Sequence, residues 1–183
     1  MIETLISSKT RVKLLLKFFF NAKTKAYLRS LEGEFGESSN AIRLELNRFE
    51  KAGMLSSSME GNKKIYSANT GHPLFNEIRG LIIKHIELDK IIENVILRLG
   101  NLEAAYLVGS FSKGLDSHLI DLVLVGEIDR DYLVKLIEKI ETIIKRKIRY
   151  VIYKEEEYKD IDWNKQGTEP LLVWAKGKQE GNE

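Results

Sequence analysis

Residues 106–126 read YLVGSFSKGLDSHLIDLVLVG. One apolar run ends at Gly109-Ser110, and a second carries a single acid, Asp121. Glycine lets a backbone approach a phosphate closely, and such a turn offers N–H groups and a hydroxyl as donors. A carboxylate on the next strand can hold Mg²⁺, which prefers oxygen ligands and commonly bridges to substrate phosphates. The candidate nucleotide-binding residues are therefore Gly109, Ser110, Lys113 and Asp121. Lys113 reads as a phosphate clamp or as a solvated loop lysine, and Asp121 as a metal ligand or as an anchor of the turn. His118 reads as a loop histidine.

A second constellation lies in ESSNAIRLELNRFEKAG, residues 37–53. Ile42, Leu46 and Phe49 recur at i, i+4 and i+7 and face inward. Ser39, Asn40, Arg43, Leu44 and Asn47 are left on the outer face. That set suits the major groove of duplex DNA: Arg43 can reach guanine, Asn40 or Asn47 adenine, and Leu44 a thymine methyl. Lys63 and Lys64 downstream, and Arg29 upstream, suit phosphate contact.

Two sets of elements must position these groups. Residues 8–20 predict a helix with Val12, Leu15, Leu16 and Phe19 on one stripe. A short helix follows near 27–35, then a third with a serine N-cap, closed by Gly53. Extended runs at 54–58 and 63–68, separated by MEGN, predict a hairpin. Pro73 stands where a helix can begin, and residues 74–99 are apolar on a very broad stripe. A single long helix is expected there, buried on two sides, against the second domain and another subunit. Beyond Gly100-Asn101 the pattern is strand (104–108), Gly-Ser turn, strand (120–125), helix (130–147) and strand (148–153). A short acidic helix near 155–158, the run LLVWA and a polar tail complete the chain.

The 183 residues are 43% hydrophobic, enough to bury one or two small cores. No cysteine is present, which excludes disulfides and thiolate metal sites and fits a reducing compartment. Three scattered histidines argue against a histidine-rich zinc centre. The run LLLKFFF is too short for a membrane span or a signal segment. Residues 1–75 carry 12 Lys and Arg against 7 Asp and Glu, a charge of +5, and residues 76–183 carry 17 against 20, a charge of −3. The basic half points to an anionic partner.

Three helices followed by a basic hairpin resemble a winged helix-turn-helix over about the first 75 residues. LNRFEKAGML and EGNKKIYSAN look like the recognition helix and wing of small bacterial winged-helix regulators, including the metal-sensing repressors. The ligand cysteines of those sensors are absent, so metal sensing does not carry over. GSFSKG followed by LIDLVLVG resembles the minimal nucleotidyltransferase domain of the polymerase-beta-like superfamily, over roughly residues 90–175. In that family an Asp-x-Asp pair and a carboxylate on a later strand hold the two metal ions of phosphoryl transfer. Here Asp121 matches the second acid and Leu119 stands at the first. The later strand, IRYVIY, brings Arg149 and no acid, and Asp116 can reach in only from the loop.

The fold class expected is α+β. It comprises an N-terminal winged helix-turn-helix (1–72), a long linker helix at a dimer interface (73–100) and a small nucleotidyltransferase-like mixed-sheet α/β domain (101–183). The function expected is a cytoplasmic, sequence-specific DNA-binding transcriptional regulator. Its second domain has lost its chemistry and serves as a sensor or partner platform, without enzymatic activity, metal or cofactor. Double-stranded DNA, a second copy of the chain and a nucleotide or protein effector are the expected partners, with no membrane. The alternatives are an active nucleotidyltransferase that modifies a protein or RNA, and an antitoxin-like operon repressor.

Overall fold

Ser8 starts the first helix, α1 (Lys9–Leu15), by accepting the Arg11 N–H on its hydroxyl at 3.2 Å. In the computed structural model, which describes residues 5–163 and 169–177, α1 runs on into a π-type turn, Leu16–Phe20. Every side chain from residue 14 to residue 20 is buried, a wider surface than the single expected stripe. Lys17 is among them, and its ammonium is neutralised by Glu34 at 2.5 Å.

A short strand, β1 (Lys25–Tyr27), leads into α2 (Leu28–Phe35), which closes on Gly36 at φ 63°. Next comes α3 (Ser39–Lys51), with the Ser38 hydroxyl accepting the Ala41 N–H. Its end is a double-bonded glycine cap: Gly53 N–H donates to Glu50 and Met54 N–H to Phe49, both at 2.9 Å. The hairpin β2 (Leu55–Glu60) and β3 (Lys63–Ala68) follows, and β1 joins it to give the order β1-β3-β2. The first strand runs two residues further than expected, because Gly61 at φ 58° makes the reversal in a two-residue loop.

The long helix expected over 74–99 is not one helix. Helix α4 (Phe75–His85) ends at Ile86, Glu87 adopts a left-handed φ of 61°, and α5 (Leu88–Asn94) starts afresh before a 3₁₀ turn, Ile96–Arg98. One straight helix would spread its isoleucines and leucines around the whole circumference. Broken at Glu87, the two pieces bury Ile82 and Ile86 in one and Leu88 and Ile91 in the other, while Leu81 stays exposed. The chain divides at this break into two compact units, Met1–Ile86 and Glu87–Glu183.

The second unit holds β4 (Leu102–Val108), the single turn α6 (Gly109–Ser112), β5 (Leu119–Gly126), α7 (Arg130–Ile144), β6 (Lys147–Tyr153), α8 (Glu155–Lys159) and β7 (Leu171–Ala175). The strand order is β6-β5-β4-β7. β5 and β6 are parallel and joined through α7, whereas β4 pairs antiparallel with β5 and with β7. The sheet is therefore mixed and the fold α+β. α7 buries Leu133, Leu136, Ile137, Ile140 and Ile144, the spacing of one helical face. It packs against β6 and α5. No helix among the described residues is long and apolar enough to cross a membrane.

At the close of β5, Gly126 has φ 147°, and a Cβ there would lie 2.2 Å from the Asn101 carbonyl oxygen. Backbone meets backbone at that point, and neither can yield cheaply. Gly126→Ala is expected to cost about 2 kcal/mol or more in chemical denaturation. A variant as stable as the parent would contradict this packing.

Candidate functional site

Strand register builds the first cluster. Val108 stands opposite Asp121, and Asp121 opposite Arg149, so the ends of β4, β5 and β6 meet in one row. Just past Val108 the chain turns at Gly109, with φ 67°. A Cβ at that position would sit 2.5 Å from Asp121 Oδ2, so the carboxylate occupies the space a side chain would need. The other oxygen, Oδ1, accepts the Arg149 Nε–H at 2.6 Å. Asp121 is 15% exposed and Arg149 70% exposed. The hydrogen bond and charge of Asp121 hold the guanidinium above its already high ordinary range.

Ser110 is half-buried beside the turn, and the buried Ser112 hydroxyl donates to the Gly109 carbonyl at 3.0 Å. Lys113 and His118 are exposed on the segment that follows. Asp116, which the sequence allowed to reach into the site, is engaged elsewhere: it accepts from Arg146 at 2.6 Å, and Arg146 lies over the Phe111 ring. Leu119 stands opposite Lys147, whose ammonium meets Glu141 at 2.5 Å.

The resemblance to nucleotidyltransferases implies a two-metal centre, and the donors present do not fit one. Of the three carboxylate positions, one keeps its acid, one is leucine, and the third strand presents a guanidinium bonded to the surviving acid. Among the described residues no group of three or more acids and histidines can hold a metal ion.

Two residues back along β4, on the face shared with Asp121, Tyr106 stacks on Tyr158 of α8 with centroids 4.8 Å apart. Burial, and then the bond to Tyr106, pushes the Tyr158 hydroxyl well above the usual phenol range. Trp163 adds a third ring, tilted at 5.8 Å from Tyr158. Sequence reasoning missed this cluster because Tyr106 lies some fifty residues before Tyr158 and Trp163. At the opposite end of β4 a groove of about 500 Å³ is lined by Glu103, Glu127, Glu155 and Glu156, with Lys154, Asn101 and Gly126 beside them.

The second cluster is the outer face of α3. Ile42, Leu46 and Phe49 are buried, and Asn40, Arg43, Leu44 and Asn47 are exposed. Ser39 departs from the expected outward set: it is half-buried, and its hydroxyl bonds Glu32 of α2. Glu45 was missed. It is 5% exposed and bonded by Arg11 at 2.9 Å, Arg48 at 2.8 Å and the Ser8 hydroxyl at 3.3 Å. Burial alone would raise its pKa, but the bonds and charges of Arg11, Arg48 and Ser8 together hold it below the ordinary glutamate value.

Arg29 is exposed at the start of α2. Lys63 is exposed, with its ammonium 4.5 Å above the Tyr27 ring. Lys64 differs from the expected free phosphate contact, because Glu50 of α3 takes its ammonium at 2.7 Å and also accepts from Ser57.

No family model matches the chain, and no curated relative matches it. Solved structures that match include AF1382 from Archaeoglobus fulgidus, 16% identical, with a TM-score of 0.37 over 51% of this chain and 99% of that one. A provisionally named nucleotidyltransferase from Sulfolobus solfataricus is 25% identical, with a TM-score of 0.34 over 52% of this chain and 85% of that one. The mixed sheet is compatible with a nucleotidyltransferase-like domain. The expectation that the chain is no enzyme is withdrawn: a solved structure that it matches is named as a nucleotidyltransferase.

Two outcomes follow from these contacts. Gly109→Ala is expected to destabilise the protein, and the loss should shrink by about 1 kcal/mol or more in an Asp121→Ala background, where the clash is gone. A double-mutant cycle by denaturation measures that difference. Glu45→Gln is expected to cost about 1–3 kcal/mol at neutral pH. Because the folded pKa of Glu45 is depressed, this stabilisation is complete above the ordinary value and fades as pH falls through the lowered one. Stability curves of parent and variant should therefore converge as the pH falls below the ordinary carboxylate range.

Proposed function

We propose that the chain is a cytoplasmic, sequence-specific DNA-binding regulator. Its first unit is a winged helix-turn-helix, and its second a nucleotidyltransferase-like sensor or partner platform. The observation that carries the reading is the exposed face of α3, where Asn40, Arg43, Leu44 and Asn47 stand together over a buried apolar stripe. A recognition helix presents such polar, donor-rich side chains to base edges in the major groove.

The hairpin supplies the wing. Its exposed Lys63 suits backbone phosphate, as does Arg29. Lys64 contributes less, because its charge is neutralised by Glu50. We further propose that two copies act on DNA, since paired half-sites are the usual target of such modules.

A second reading is nucleotidyl transfer to a protein or RNA. Asp121 beside the Gly109-Ser110 turn is the observation that favours it. Transfer of label from a nucleoside triphosphate, lost in Asp121→Ala, would establish that activity.

For the DNA reading, Arg43→Ala is expected to cost about 1–3 kcal/mol at one operator position and to relax base preference there. Lys63→Ala should weaken all sequences alike and lower the slope of log K against log salt by about one. Titrations over a salt series with operator and scrambled duplexes measure both. Arg43→Ala binding that keeps the parent's base preference at every operator position would count against α3 as the reading element.

A further inference from the structure

We propose that Arg149 replaces the metal ion at the Gly109-Ser110 turn, so that the second unit binds a polyphosphate chain, free or carried on a nucleoside, without a divalent cation. This deepens the sensor reading of that unit. It is measured without DNA, so its failure and the failure of DNA recognition are separate results.

The first ground is charge. A phosphate site built on three carboxylates is strongly negative and needs bound cations before it attracts a polyanion. Here the corresponding positions are Leu119, Asp121 and, on the neighbouring strand, Arg149, and the one acid is already balanced by the guanidinium at 2.6 Å. A phosphate approaching this row meets no excess negative charge that a metal would have to cancel.

The second ground is geometry. Arginine has five N–H donors in a planar fork that matches phosphate oxygens. The Asp121 bond uses Nε–H, while the side chain is 70% exposed. The carboxylate is fixed in turn by its seat against Gly109. Asp121 thus orients the guanidinium, much as a carboxylate orients a ligating histidine, and spares phosphate binding the entropy of ordering a free arginine. Lys113, three residues beyond Ser110, is a further exposed cation on the same turn.

The test is isothermal titration of the full chain with ATP and with inorganic tripolyphosphate, each in excess EDTA and again in Mg²⁺. Binding in EDTA, weakened at least about tenfold in Arg149→Gln and partly restored in Arg149→Lys, is the expected result. Stronger binding of ATP than of tripolyphosphate would assign the ligand as a nucleotide, and equal binding would assign the phosphate chain alone. Because Arg149 is exposed, the variants should fold, and thermal unfolding checks that they do. Binding that requires Mg²⁺, binding indifferent to Arg149→Gln, or no binding by the parent chain would each overturn the proposal.

Discussion

The carboxylate of Asp121 fixes the end of the four-stranded sheet. One oxygen fills the space a side chain at residue 109 would need, and the other takes the Arg149 N–H. Pairing of β4 with β5, and of β5 with β6, sets these three groups in one row. The positive-φ glycine, the inward acid and the exposed arginine are thus consequences of a single register. A side chain at 109 would displace the acid, and a displaced acid would release the guanidinium. What reaches solvent at this end of the sheet is a tethered cation beside a Gly-Ser turn.

In the first unit the corresponding fastening is electrostatic and lies along α3. A buried carboxylate is costly unless its charge is met, and Glu45 has Arg11 and Arg48 against it. That contact ties the middle of α3 to α1, while Glu50 near its end ties the hairpin through Lys64 and Ser57. With Ile42, Leu46 and Phe49 buried underneath, the helix has little freedom to rotate. The exposed Asn40, Arg43, Leu44 and Asn47 are therefore presented as a fixed set, which base recognition requires.

Much of this was legible where the determinants are local. Helical spacing located α3 and α7, glycine marked the end of α3 and the hairpin turn, and the apolar runs located β4, β5 and β6. The break at Glu87 was hidden, because a continuous apolar stretch suits one helix or two, and a left-handed glutamate has no sequence signal. Strand β1 is only three residues long, too short for a periodicity to show. The ion pairs Lys17–Glu34, Arg11–Glu45 and Asp121–Arg149 join residues far apart in the chain, so only the tertiary register reveals them. The same holds for Asp116, which a linear reading leaves pointing at the site and the structure gives to Arg146.

Specific recognition of duplex DNA by the intact chain is the claim on which the rest of the functional reading stands. It is tested most directly by selecting duplexes from a random pool with the full-length protein and measuring the affinity of the selected and random DNA at physiological salt. A selected duplex bound at least about a thousandfold more tightly than random sequence is the result expected of a specific regulator. Equal affinity for the two, with a steep salt dependence for both, would mean that the basic surface binds phosphate without reading bases and would contradict the proposed function.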